Sequence, residues 1–508
     1  GPWNGTKGKG GLHAAWRANM DRDAVVSSVV RGTVALVGQA VLSRLLALFA
    51  TVFVARLVGP KEMAVWSVLS SLTSLGWGLT DLGVGAALIR GESEPSPLAF
   101  RQAAGLQLVA LVSLLVLGAL FWLGGSASIG WAPELPALVM IVALGMVIRI
   151  MGTPARAILE RNMRFSSLAI CDSVASVVQS LLLVGSLWLG AGVSAFAISA
   201  VAGNLSGILV LRVLFREPMP KPALGLEAIR PYLRFGLAFQ VNELAGLARE
   251  AITPLLLVAT LGPVVAGLWA WVRKILELVY MWLNIGWRVT FPAYARLGSK
   301  TEWSKMAYRV LVVTYWPLLL ISVGLMVAGR GVLSAIFGSQ WEQAYQALYV
   351  ALAGLVFCGP VSVALAGGVM ASGAAAGLAA TQVLRTATLW AFSIAFGPRW
   401  GVLAIGVGWF AQLAEDALSL AIFSRSWKPR LSTFLLNMIM AGVAVGVGLW
   451  VRTSIGAATG SLVGSAVTCI LVILVNAQGF KEFIELSRSI VPRVFTFRNR
   501  VPYITSNQ

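Results

Sequence analysis

Charged side chains are what this 508-residue sequence has least of: 12% of positions, against about 25% in an ordinary soluble domain. With 58% hydrophobic residues and a mean hydropathy of +0.83, that shortage excludes a soluble globular fold and marks a membrane protein. Histidine occurs once, at His13 in a polar tail, and cysteine three times, at Cys171, Cys358 and Cys469 within apolar runs. Those counts argue against a Cys/His metal site and a disulfide framework. Acidic residues are few as well, 20 against 39 Lys and Arg, which leaves a net charge of +19. The first 31 residues hold no apolar run, so no cleavable signal peptide is expected, and Gly1-Pro2 reads as the scar of a cleaved tag.

What the sequence does have is long apolar stretches. Fourteen recur between residues 32 and 477, each about twenty residues long and able to cross a hydrocarbon core of roughly 30 Å. Ala, Gly and Ser fill many of them, which suits close helix packing in lipid. The short alternating segments of a β-barrel are missing. With the N-terminus in the cytoplasm, most Lys and Arg outside the spans fall on the cytoplasmic side, and only Arg56, Lys61, Arg330, Arg399 and Arg452 fall on the other. This asymmetry accounts for most of the positive charge without nucleic acid and puts both termini in the cytoplasm. At the C-terminus, Phe480, Phe483, Ile484, Leu486 and Ile490 alternate with Lys481, Arg488 and Arg493 and read as an amphipathic helix on the membrane lipids of the inner leaflet.

An internal repeat organises the chain. Gly59-Pro60 and Trp66 recur 203 residues on as Gly262-Pro263 and Trp269, and at the same offset Asp81-Leu82-Gly83 faces Asn284-Ile285-Gly286. Six spans separate the copies, so both cross the membrane in the same direction. The expected fold is an all-α polytopic membrane protein of about fourteen transmembrane helices, with two pseudo-symmetric six-helix lobes around a central cavity plus two extra C-terminal helices. By residue this gives a polar tail at 1–31, an N-lobe at 32–214, a basic connector at 215–234, a C-lobe at 235–424, helices 13 and 14 at 425–478, and a tail at 479–508.

Several segments carry a family resemblance: ARLVGPKEMAVWSVLSSLTSLGWGLTDLGVGAALIR at 55–90, ARAILERNMRFSSLA at 155–169, RFGLAFQVNELAGLARE at 234–250, the block 261–297, and FGSQWEQAYQAL at 337–348. The chain resembles bacterial oligosaccharide flippases of the Wzx or polysaccharide-transport type, in the multidrug/oligosaccharidyl-lipid/polysaccharide exporter superfamily. The resemblance implies a transporter of the bacterial inner membrane, not an enzyme, working by alternating access. Its cargo would be a polyprenyl-pyrophosphate-linked oligosaccharide, moved to the outer leaflet for surface polysaccharide synthesis. A polysaccharide polymerase and a chain-length regulator would be its partners. The extra pair of helices is similar to that of the lipid II flippase branch, so a peptidoglycan precursor or another lipid is the alternative cargo. A drug or cation antiporter of the same superfamily is the remaining alternative.

Charges inside spans are costly and mark either function or pairing. The basic ones are Arg44, Arg249, Arg273, Lys274 and Arg385. A guanidinium stays charged when partly desolvated and meets two phosphate oxygens at once, so these residues are candidates for holding the pyrophosphate, with Tyr280 and Asn284 on the Arg273 face of the eighth span. The competing expectation is an ion pair with an intramembrane acid, Arg273 with Glu277 at i,i+4 being the plainest. Asp81, Glu243, Glu250 and Glu277 are the candidates for carrying a coupling proton or sodium ion, while Asp172, Glu415 and Asp416 complete the intramembrane acids. No catalytic residue, metal site or other cofactor is expected.

In the second span Ser67, Ser71, Ser74, Gly78, Asp81 and Gly85 project onto one stripe, the expected lining of the cavity. Arg149, Arg156, Arg161 and Arg164 read most simply as the positive-inside signal, with collection of anionic cargo as the alternative. Trp66, Trp131, Trp269, Trp341 and Trp400, near span ends, read as an interfacial belt. Gly298-Ser299-Lys300-Thr301 lacks the glycine spacing of a phosphate-binding loop, so ATP hydrolysis is not expected.

Overall fold

The structure is a computed structural model that describes residues 22–90, 95–125, 133–162, 164–217, 221–295, 300–371 and 375–423, with isolated positions further on. Among the described residues every regular element is helical. The first seven helices are α1 (Arg22–Leu57), α2 (Pro60–Asp81), α3 (Val84–Arg90), α4 (Pro97–Gly125), α5 (Leu135–Arg161), α6 (Phe165–Trp188) and α7 (Ser194–Leu209), the last prolonged by a π-helical turn to Leu214. They are followed by α8 (Arg230–Leu261), α9 (Pro263–Ala295), α10 (Lys300–Phe337), α11 (Glu342–Ala371), α12 (Ala375–Trp400), α13 (Val402–Gly408) and α14 (Gln412–Phe423). The pairs α2–α3 and α13–α14 each fill one apolar run of the sequence, so these helices account for the first twelve of the fourteen runs. Among the described residues, seven helices are long and apolar enough to cross a membrane by length and composition, including α4, α5, α10 and α11. The chain is an all-α, multi-pass membrane protein. The expected helices 13 and 14 and most of the two tails lie outside the described residues; from the C-terminal tail, Phe480 sets its ring edge-on to Trp316 at 5.2 Å.

Both copies of the repeat begin in the same way. Pro60 opens α2 and Pro263 opens α9, at the position where a missing N–H costs nothing and a fixed φ favours the helix. Further along, the copies differ. The sequence Asp81-Leu82-Gly83 ends α2, with Leu82 at φ 53° and Gly83 at φ 63°, whereas Asn284-Ile285-Gly286 lies inside the unbroken α9. The stripe expected to run from Ser67 to Gly85 therefore stops at Asp81. Gly85 lies on α3, beyond two left-handed residues that throw it out of register.

The end of α2 needs partners for its last carbonyls. Gln240 of α8 donates through Nε2 to the Gly78 carbonyl. Gln107 of α4 donates through Nε2 to the Asp81 carbonyl at 3.4 Å and to Asp81 Oδ1 at 3.1 Å.

Two compact units divide the chain: Gly1–Val58 with Val65–Leu255, and Gly59–Ala64 with Leu256–Gln508. The first unit keeps most of α8 because that helix leans on the α2–α3 break, where Gly236 backs onto Gly83. In this unit α6 packs against α1 and α7, and α5 against α7. One apolar cluster gathers Val84, Leu88, Phe100 and Ile229. In the second unit α11 is the enclosed helix, packed by α9, α10, α13 and α14, with Ala344, Ala351, Leu355 and Cys358 wholly buried.

Two tryptophans depart from the interfacial belt. Trp269 and Trp341 are buried in the second unit, where α9 packs on α11 and Trp271 stacks on Trp341 at 5.5 Å. Trp400 is exposed and Trp66 is half-buried against Phe196, while Trp131 lies outside the described residues.

The segment ahead of α8 is tied to α4. Arg101 Nε donates to the Lys221 carbonyl at 3.0 Å. Buried Gln102 accepts through Oε1 from the amides of Ala228 at 2.8 Å and Ile229 at 3.2 Å. Gln102→Leu leaves both amides without that acceptor and should cost about 2 kcal/mol, read as a lower melting temperature of the purified protein in detergent.

Candidate functional site

The second unit holds half of the intramembrane charges singled out in the sequence. On α9, Arg273 Nη2 and Lys274 Nζ flank the Glu277 carboxylate at 3.7 and 3.0 Å. One turn on, Tyr280 meets Arg385 of α12, whose Nη2 donates to the Tyr280 hydroxyl at 3.2 Å. Arg385 Nη1 donates to Glu415 Oε2 of α14, also at 3.2 Å. The Trp409 indole lies 5.6 Å from the guanidinium and edge-on to Tyr280 at 6.0 Å. The side chains of Arg385 and Glu415 are 13% and 9% exposed, so their pairing takes place away from water, whereas Arg273, Lys274 and Glu277 are only half-buried.

Beside this pair, Asp416 is 7% exposed. Its Oδ1 accepts from Ser362 Oγ, which itself accepts from Gln412 Nε2. Among the described residues its Oδ2 has no hydrogen-bond partner and its carboxylate forms no ion pair.

In the first unit, Asp81 is half-buried at the end of α2. Gln39 Nε2 donates to Ser43 Oγ at 3.0 Å, and Ser43 Oγ to Ser176 Oγ at 2.9 Å, which links α1 to α6. Of the four arginines assigned to the positive-inside signal, three have partners. Arg156 pairs with Asp172, Arg164 pairs with Glu217, and Arg161 Nη1 donates to the Leu88 carbonyl at 2.8 Å. The fourth, Arg149, lies over Trp77 with Cζ 4.0 Å from the ring centroid.

Among the other sequence candidates, Arg44 is exposed on α1 and Glu250 is exposed on α8. The side chains of Glu243, Arg249 and Asn284 lie outside those described. The structure thus brings Arg273, Lys274 and Glu277 together, and Tyr280 together with Arg385. The Arg273–Glu277 pair was readable from its spacing on one helix. The Arg385–Glu415 pair joins two helices, and no one-dimensional pattern announces it. Sequence reasoning leaves Asp416 out of the coupling candidates, although the tandem Glu415-Asp416 in an apolar run is a usable signal, and it reads Arg149 first as positive-inside charge, with cargo collection as the alternative.

Apolar helices long enough to cross a membrane, with charge held among them, define a multi-pass membrane protein. The chain belongs to the family described as Polysaccharide biosynthesis protein, which it matches over residues 53–346. This is the kind of family that the segments at 55–90 and beyond pointed to. The chain is 25% identical over 304 residues to the lipopolysaccharide biosynthesis protein WzxC of Escherichia coli (strain K12), over 57% of this chain and 59% of that protein, so it spans less than two thirds of that relative. It is 21% identical over 474 residues to the succinoglycan biosynthesis transport protein ExoT of Rhizobium meliloti (strain 1021), over 88% of this chain and 93% of that one. Its fold is similar to that of the lipid II flippase MurJ in an inward closed conformation, with a TM-score of 0.70 and 13% identity over 90% of this chain and 100% of the other.

Proposed function

We propose that the chain is a flippase carrying polyprenyl-pyrophosphate-linked oligosaccharide units from the cytoplasmic to the outer leaflet of the bacterial inner membrane, for assembly of a surface polysaccharide. The observation that carries this reading is the similarity to a succinoglycan transport protein over 88% of the chain. The two lobes, 32–214 and 235–424, alternate access to the cargo, both termini are cytoplasmic, and a polymerase with its chain-length regulator receives the product. Arg273 and Lys274 gather with Glu277 on α9, with Tyr280 one turn on, and are candidates for holding the pyrophosphate. Arg44, Arg249 and Asn284 remain ligand candidates, whereas Arg385 is held by Glu415 and Tyr280 and fastens three helices.

A buried carboxylate without a partner cation has to be neutralised by a proton or a bound cation. Asp416 therefore joins Asp81, Glu243, Glu250 and Glu277 as a coupling candidate. The membrane potential itself favours export. A diphosphate with about two negative charges gains on the order of 7 kcal/mol in moving outward across roughly 150 mV.

Reconstitution into vesicles bearing a fluorescent lipid-linked oligosaccharide tests the reading. Protein-dependent transfer between leaflets is expected, faster under a potential that draws the diphosphate across. A rate equal to that of protein-free vesicles would overturn the assignment. Transfer of lipid II but not of the oligosaccharide lipid would assign the alternative cargo. A rate indifferent to the potential would remove the electrophoretic drive.

A further inference from the structure

Arginine within an apolar helix is tolerated where it is paired or where it faces water. On α5, Arg149, Thr153, Arg156 and Glu160 recur at spacings of four, three and four, which puts them on one face of a helix otherwise rich in apolar residues. The helix continues from Arg149 to Arg161, about 18 Å at ~1.5 Å per residue, so the guanidinium stands well inside it. Thr153, Arg156 and Glu160 are half-buried, and Arg156 is neutralised by Asp172 from α6. Asp81, within the electrostatic reach of Arg149, has its Oδ1 engaged by Gln107.

Among the described residues, no carboxylate or carbonyl accepts from the Arg149 guanidinium. One face rests on the Trp77 indole at 4.0 Å, and the side chain is exposed. The ring offers a π-face and no lone pair, so stacking fixes the plane of the guanidinium and leaves its N–H edge unused. Around this cation stand the Trp77 ring and, within electrostatic reach, Asp81, Arg156 and Asp172. A purely structural arginine here would be expected to meet a carboxylate, as Arg156, Arg164 and Arg385 do.

We infer that Arg149, laid on Trp77, is a docking point in the first unit for the diphosphate of the lipid-linked cargo, an inference that rests on the flippase reading above. The planar fork of the guanidinium matches two diphosphate oxygens, and the indole holds that fork ready, so little rotamer freedom is lost on binding.

The test uses the full chain in nanodiscs, titrated with farnesyl diphosphate, with inorganic pyrophosphate and farnesol as comparison arms. Farnesyl diphosphate should bind the wild type. Arg149→Ala and Arg149→Gln should weaken that binding about tenfold or more, and Arg149→Lys should recover part of the loss. Pyrophosphate should compete, whereas any farnesol binding should be indifferent to residue 149. Melting temperatures identify the folded variants, and Arg149→Gln, close in size, keeps the test open if Arg149→Ala does not fold. Equal affinity of folded Arg149→Gln and wild type would overturn the site. So would a wild type that flips its cargo in vesicles but binds neither diphosphate, and that result would leave the flippase reading intact. Binding that depends on residue 149 in a protein that moves no lipid would sustain the site and overturn the flippase reading.

Discussion

Arg385→Ala should lower stability by about 3–5 kcal/mol, the range for removing one member of a buried ion pair. Glu415, 9% exposed, would be left as a buried charge without its cation, and Tyr280 would lose the donor that ties α9 to α12. The expected readout is a large drop in the melting temperature of the detergent-purified protein. The double substitution Arg385→Met with Glu415→Leu should restore most of the loss, because it removes both charges and refills the space with apolar atoms. A ligand role for Arg385 gives a different outcome, in which Arg385→Ala melts like the wild type and fails to transport. That result would also show that the ion pair contributes little to the fold.

The second large effect is expected at Gly83. A Cβ there would stand 2.0 Å from the Gly236 carbonyl oxygen, and the residue sits at φ 63°, where side chains are strained. Left-handed strain of about 1–2 kcal/mol adds to overpacking of roughly 1–3 kcal/mol, so Gly83→Ala should destabilise by about 3 kcal/mol. Gly85→Ala is the control two residues away. Its Cβ would meet only Asp81 Oδ1 at 3.9 Å, an ordinary contact, and the added methyl favours a helix, so stability should hold or rise slightly. Equal melting of the two variants would mean that α2 and α3 are not broken at this point.

Much of the fold could be read from the sequence, for identifiable reasons. Apolar run length marked the spans, and the glycine–proline pairs at 59–60 and 262–263 marked where two helices begin, because both signals are local. Arg273–Glu277 could be read for the same reason, since one helix sets that spacing. The break at Leu82 could not. The repeat mates Asp-Leu-Gly and Asn-Ile-Gly look alike, but only the first has Gln107 and Gln240 beside it to take up the freed carbonyls. Trp341 looked interfacial because it lies near the end of an apolar run, yet it is packed on Trp271, a neighbour that sequence distance conceals. Arg385 and Glu415, thirty positions apart, needed three-dimensional packing to become a pair. Arg149 could be told from Arg156, Arg161 and Arg164 only once the partners of the other three were visible.

The interruption between α2 and α3 has a bearing on movement. In an uninterrupted span, bending opens amides and carbonyls to hydrocarbon, which is strongly unfavourable. Here two of the carbonyls at the joint are already moored to glutamine side chains from two other helices. A change of angle at Leu82-Gly83 would therefore leave those oxygens satisfied, and the joint would work as an articulation whose ligaments are the amides of Gln107 and Gln240.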